Sequence, residues 1–223
     1  DWVQISRADM WGPRHRQFAE SVSGELLLIG RASDTPVESP GYQVWATKDG
    51  VSWELRVTSL PWTRLTSSFQ LGDKIGVLAN NICWLSSDGS EWSQAGTLPG
   101  FGTAAVASNG KLWGLGGFTE VFEQNSFVYA SINGAVWDEV SDAAPWLSRF
   151  DAKATTFRDQ LWIMGGESTS GITNDAWYSE DGVEWTATPI PLWMGLARDE
   201  FSVVVFRDRL WVMAGAKPIA PGD

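Results

Sequence analysis

Leu161–Trp185 reads LWIMGGESTSGITNDAWYSEDGVEW, and the rest of the chain repeats it imperfectly. An apolar run closes on a glycine pair, a polar loop follows, and a Trp/Tyr run turns at Asp-Gly into a last Trp. That order predicts strand, loop, strand, tight hairpin and strand. The unit aromatic-x-Ser/Thr-x-Asp/Asn-Gly-x-x-Trp recurs at Trp45–Trp53, Trp84–Trp92, Tyr129–Trp137 and Trp177–Trp185, with starts 39, 45 and 48 residues apart. The apolar run recurs at Leu26–Gly30, Ile75–Ala79, Leu112–Gly117, Leu161–Gly166 and Leu210–Gly215. A third landmark lies nine residues after the hairpin Trp, at Trp62, Phe101 and Trp146, and eight after Trp185, at Trp193. Three landmarks in fixed order mark an array of one supersecondary unit.

Each copy supplies four short strands. Leu161–Met164 and Leu210–Met213 are apolar at every position, so these strands are expected to be covered on both faces, where a sheet with one wet face would alternate. Radial packing of four-stranded antiparallel blades meets that requirement, with the glycine pairs where backbones crowd. The expectation is an all-β propeller with five blades visible in a single domain. The blades span residues 14–53, 64–92, 103–137 and 149–185, with 198–215 as the inner strands of a closing blade. Residues 1–6, DWVQIS, match the strand after the hairpin, as in Trp137–Ser141, and are expected as the outer strand of that last blade, which then lacks one strand of four. Either the chain is a piece of a longer protein or a strand from another chain fills the gap.

Bulk composition narrows the function classes. The net charge of -11 leaves no broad cationic field, so nucleic acid and anionic membrane surfaces are poor partners. No window approaches the roughly 18 apolar residues of a membrane span, so no membrane insertion is expected. The single cysteine, Cys83, beside Trp84 on an apolar strand, reads as a buried inert thiol. His15 is the one histidine, which removes any multi-histidine metal site, and neither metal nor cofactor is expected.

Arg149, the run Asp159–Gly166, Asn174-Asp175-Ala176-Trp177 and Ser179–Trp185 resemble the Kelch-repeat family in its divergent bacterial form. The Ser-x-Asp-Gly-x-x-Trp turns are similar to the Asp-box of sialidase-type propellers with one residue deleted. Both resemblances imply a propeller, and neither fixes an activity, since this fold hosts enzymes and adaptors alike.

The candidate site residues follow from the repeat. Arg14, Arg64, Arg149 and Arg198 sit 12, 11, 12 and 12 residues before their apolar runs, and Gly100 holds the equivalent place in the third copy. Repetition puts these arginines at equivalent heights, where converging guanidinium groups would form an anion site at a channel mouth. The competing reading has each Arg tie its own loop to backbone carbonyls or to an acid such as Asp151, Asp199 or Glu200, and repetition in every copy favours that framework role. Trp11, Trp62, Trp146 and Trp193, in the loops leading to the arginines, complete a candidate aromatic rim. Asp49, Asp88, Asn133 and Asp181 are turn residues, not catalytic carboxylates. Glu120, Glu123 and Glu167 are loop acids outside the pattern and read as surface charge.

The expected function is a non-catalytic binding or assembly module on an extracellular or cell-surface protein, with a protein or glycan ligand. Its binding face would carry the arginine mouth and the loops Pro36–Gly41, Phe118–Ser126 and Glu167–Thr173. Two alternatives stand beside it: a carbohydrate-binding or carbohydrate-active propeller, implied by the resemblance to sialidases and sugar-processing Kelch-like proteins, and a structural subunit assembling by strand donation.

Overall fold

Each copy of the repeat folds into its own antiparallel sheet, with strands in chain order from one edge to the other. The computed structural model describes residues 14–32, 41–189, 197 and 199–216, and at 14–16, 32, 199 and 216 the backbone alone. The expected outer strand at residues 1–6 and the loop from Pro36 to Pro40 lie outside the described residues. Within them every regular element is a strand. The chain divides into two compact units, Asp1–Gly96 and Thr97–Asp223.

The first unit holds two sheets. One runs β1 (Arg14–Val22), β2 (Glu25–Ala32), β3 (Tyr42–Thr47) and β4 (Glu54–Leu60). The other runs β5 (Leu65–Leu71), β6 (Lys74–Ala79), β7 (Ile82–Ser86) and β8 (Ser93–Thr97), whose last residue falls past the boundary. Asn80 and Asn81 make the two-residue turn between β6 and β7 with φ of 50° and 59°, the left-handed pair the Asn-Asn sequence predicts. From Ile75 to Ala79, β6 is buried at every residue, as its unbroken apolar run requires.

The second unit holds β9 (Ala104–Ser108), β10 (Lys111–Phe118), β11 (Gln124–Ser131) and β12 (Asp138–Ser141) in one sheet. A further sheet holds β13 (Lys153–Phe157), β14 (Gln160–Met164), β17 (Ala176–Ser179) and β18 (Thr186–Ala187). The loop between β14 and β17 carries a small hairpin, β15 (Glu167–Ser168) with β16 (Gly171–Ile172). Last come β19 (Asp199–Val205) and β20 (Leu210–Ala216), paired with each other.

The Asp-Gly turns differ from the tight hairpin the sequence predicts. Six residues separate the strands in all four cases, 48–53, 87–92, 132–137 and 180–185. In the most regular copy the Ser179 hydroxyl accepts from the Asp181 and Gly182 amides, and Asp181 Oδ1 accepts from Val183 and Glu184. Trp185 Nε1 then donates back to the Gly182 carbonyl at 3.0 Å. The same knot forms at Ser86–Trp92 and Ser131–Trp137. These amide bonds, led by that from Val183, hold the Asp181 carboxyl below its ordinary range. The knot explains the conserved order of residue types within the chain without any catalytic role.

Candidate functional site

Arg149 is fully buried, and its guanidinium is consumed inside its own sheet. It forms a bidentate pair with Asp175, Nη1 to Oδ1 at 2.6 Å and Nη2 to Oδ2 at 2.8 Å. Nε donates to the Leu147 carbonyl at 2.9 Å, and Nη1 also reaches the Gly165 carbonyl and Thr173 Oγ1. Its backbone faces the preceding sheet: Gly117 N donates to Arg149 O at 2.7 Å, and Arg149 N donates to Asn125 O at 3.2 Å. A side chain at Gly116 would sit 2.7 Å from Arg149 O, which explains one glycine of the pair. Burial alone would raise the Asp175 carboxyl, but the Arg149 hydrogen bonds and charge, helped by Trp177, hold it below the usual carboxylate range. Arg149 therefore joins two sheets and presents no charge to a ligand.

The other arginines of the expected mouth divide differently. Arg64 is exposed, with its backbone fixed by Asn80, whose side chain accepts from Arg64 N and whose amide donates to Arg64 O. Arg198 lies outside the described residues, and Arg14 is described only as backbone in β1. A buried arginine the sequence reading missed is Arg31, 4% exposed. It stands over the Tyr42 ring at 5.8 Å and donates to the Thr63 carbonyl. It occupies the place where three other copies carry Gly117, Gly166 and Gly215 and the second carries Asn80, which is why the repeat pattern did not flag it.

The aromatic rim is corrected at two positions. Trp62 is 1% exposed and Trp146 is 3% exposed, so neither offers a ring to a ligand. Each meets the next hairpin Trp edge-on, Trp62 on Trp92 at 5.0 Å and Trp146 on Trp185 at 4.2 Å, and fills the core between two sheets. Trp11 and Trp193 lie outside the described residues. Phe101, the third landmark of its copy, is not their equivalent: it bridges to Phe118 as Phe150 bridges to Glu167, so it matches Phe150.

What the structure does open is a cavity of about 270 Å3 in the second unit. Gly100, Phe118, Glu120, Asn125, Phe127 and Tyr129 contribute to its wall. Burial, then the nearby Glu139 and Glu120 charges, push the Tyr129 hydroxyl above its ordinary pKa. Beside it the turn 119–123 is tied by Thr119 N to Glu123 O at 2.8 Å, Phe122 N to Thr119 O at 3.0 Å, and Glu123 N to Thr119 Oγ1 at 3.2 Å. That turn holds Val121 at 73% and Phe122 at 74% exposure. Phe122 stacks on Phe101, centroids 5.4 Å apart, at a φ of 62° that a bulky residue seldom adopts.

Successive four-stranded antiparallel sheets in chain order, with a buried core shared between neighbouring sheets inside each unit, give a β-propeller fold. No family model matches the chain. An alignment of 204 residues is 25% identical to alpha-scruin of Limulus polyphemus, covering 78% of this chain and 22% of that protein. The chain thus spans about a fifth of the length of the curated relative it matches. The solved structure of YjhT is similar with a TM-score of 0.70 at 15% identity, over 93% of this chain and 79% of that one, a likeness of fold.

Proposed function

We propose that this chain is a non-catalytic binding module that engages a protein partner through the loops of its propeller blades. The observation that carries the reading is the turn 119–123. Five residues are locked by three hydrogen bonds and a ring stack, and they present two large apolar side chains to solvent. A fixed apolar tip of this kind loses little conformational entropy on binding, which is the economy a recognition loop needs. The regular charged residues support the same reading, because Arg149 and Asp181 are spent on internal joints and turns. The similarity to alpha-scruin adds a repeat-protein precedent for the fold.

The test is partner capture by the whole chain from a native extract, identification by mass spectrometry, and measurement with the purified partner. Phe122→Gly keeps the positive φ while removing the ring, and Val121→Ser removes the neighbour. A partner that binds the native chain and loses tenfold or more of its affinity to the double variant supports the proposal. Equal affinity for both would overturn it.

A further inference from the structure

The cavity beside the apolar turn lies where another blade keeps its own arginine. Strand register sets the equivalence: Leu112 faces Ser131 and Leu115 faces Val128 as Leu161 faces Ser179 and Met164 faces Ala176. The bridges Phe101–Phe118 and Phe150–Glu167 extend it into the loops. Gly100 therefore stands for Arg149, and Phe127 stands for Asp175. Neither member of the pair that Arg149 and Asp175 form is present in this blade, and the space is an open hollow there.

The chain cannot refill the hollow from Gly100. At φ 89° a Cβ on Gly100 would lie 2.1 Å from the Phe118 carbonyl oxygen, so no side chain is accommodated at that backbone. What remains is a pocket whose walls include Phe118, Phe127 and Tyr129, aromatic rings whose faces carry negative potential, together with the exposed residue Glu120. Its volume of about 270 Å3 is below the roughly 300–1,000 Å3 usual for small-molecule sites, and suits one long side chain. A net charge of -11 favours an approaching cation.

Resting on the protein-binding reading above, we propose that this hollow is a socket for an arginine side chain of the partner, which takes up in trans the position that Arg149 fills within its own blade. The apolar tip at Val121 and Phe122 would contact the residues flanking that arginine. Glu120 would receive the guanidinium from the solvent side, and the rings would flank it.

The chain has three tyrosines, Tyr42, Tyr129 and Tyr178, so 3-fluorotyrosine labelling yields one fluorine reporter in the socket and two elsewhere. Titration with N-acetyl-argininamide is expected to shift the Tyr129 resonance saturably and to leave Tyr42 and Tyr178 in place. N-acetyl-citrullinamide, isosteric and neutral, is expected to do neither. Glu120→Gln, on an exposed turn, is expected to weaken the shift roughly threefold with the spectrum otherwise unchanged. A leucine–arginine–leucine peptide is expected to bind more tightly than the single residue. Equal affinity would mean a free guanidinium ligand and overturn the partner socket. A silent Tyr129, equal shifts at Tyr42, or an equal response to citrulline would also overturn it. If Tyr129 is silent while the captured partner still depends on Val121 and Phe122, the socket alone falls. If that dependence is lost as well, the binding reading falls with it.

Discussion

Removing the Arg149 guanidinium, as Arg149→Ala, is the sharpest test of the buried pair inside the blade of β13, β14, β17 and β18. The side chain has no exposed surface, and its loss strips a donor from the Leu147 and Gly165 carbonyls and leaves Asp175 without its cation. Breaking a buried ion pair from one side costs about 3–5 kcal/mol. Asp175 is 38% exposed, so water recovers part of its share, which puts the loss at about 3–4 kcal/mol. With a urea slope near 3 kcal/mol per M, the midpoint followed by tryptophan fluorescence should fall by about 1 M. Arg158→Ala is the control: that residue pairs with Asp208 at 3.1 Å but both are largely exposed, and the midpoint should not move. The acid limb supplies a second readout. Asp175 is held below its ordinary value, so its contribution is present above the unfolded carboxylate pKa and is lost as pH falls through the lowered one. Arg149→Ala should flatten that limb. A midpoint shift no larger than that of Arg158→Ala would refute the reasoning.

Three further outcomes follow from the same geometry. Gly182→Ala places a Cβ 2.4 Å from Trp113 Cζ3 at a φ of 79°, and thermal melting should show a loss of about 2–4 kcal/mol, whereas Gly24→Ala, at φ 78° in open space, should lose about 1 kcal/mol. Equal losses would mean that strain alone, without the tryptophan contact, governs the turn. The Cys83 thiol is pushed by burial up to about 12, so it should resist Ellman's reagent in the native chain and react on unfolding in urea; rapid native reaction would contradict that burial. Burial raises the Glu20 carboxyl against the opposing bond from Ser68 Oγ at 2.6 Å, so stability should fall as pH rises from the ordinary carboxylate value through the raised one. Glu20→Gln should remove that slope, as read from urea midpoints across the interval.

The strands were legible in the chain because their signals are local and repeated. An apolar run with its glycines, or a Ser-x-Asp-Gly-x-x-Trp turn, carries its geometry within a few residues. The Asn80-Asn81 turn is the plainest case, since the residue pair and the positive φ angles agree. The Asp-Gly dipeptide predicts a tight hairpin, whereas the hydroxyl and carboxylate bonds stretch the turn to six residues. The spacing of Trp62 and Trp146 is visible in the sequence, but their edge-on contacts with Trp92 and Trp185, which bury them, are not local to it. The partner of Arg149 lies 26 residues away, beyond any local pattern.

In a repeat array the frame and the site leave opposite marks in the sequence. A residue type that recurs from copy to copy is expected to answer a local demand, and Arg149 shows one such use: its guanidinium ties the loops of its own blade while its backbone meets the preceding sheet, whereas Arg64 is exposed. A ligand makes its demand once, so its mark is a departure. Gly100 was visible as a gap in the arginine series, but a gap alone is compatible with a collapsed, filled joint. Phe127 at the place of Asp175 leaves a wall that needs no internal cation, as Gln43 and Ile82 do at the same register in the first two sheets, so the mark peculiar to this blade is Gly100 with the hollow beside it. Gly100 holds a backbone from which no side chain can close the hollow. A missing arginine with retained space is the pattern expected when the missing group is supplied from outside the chain.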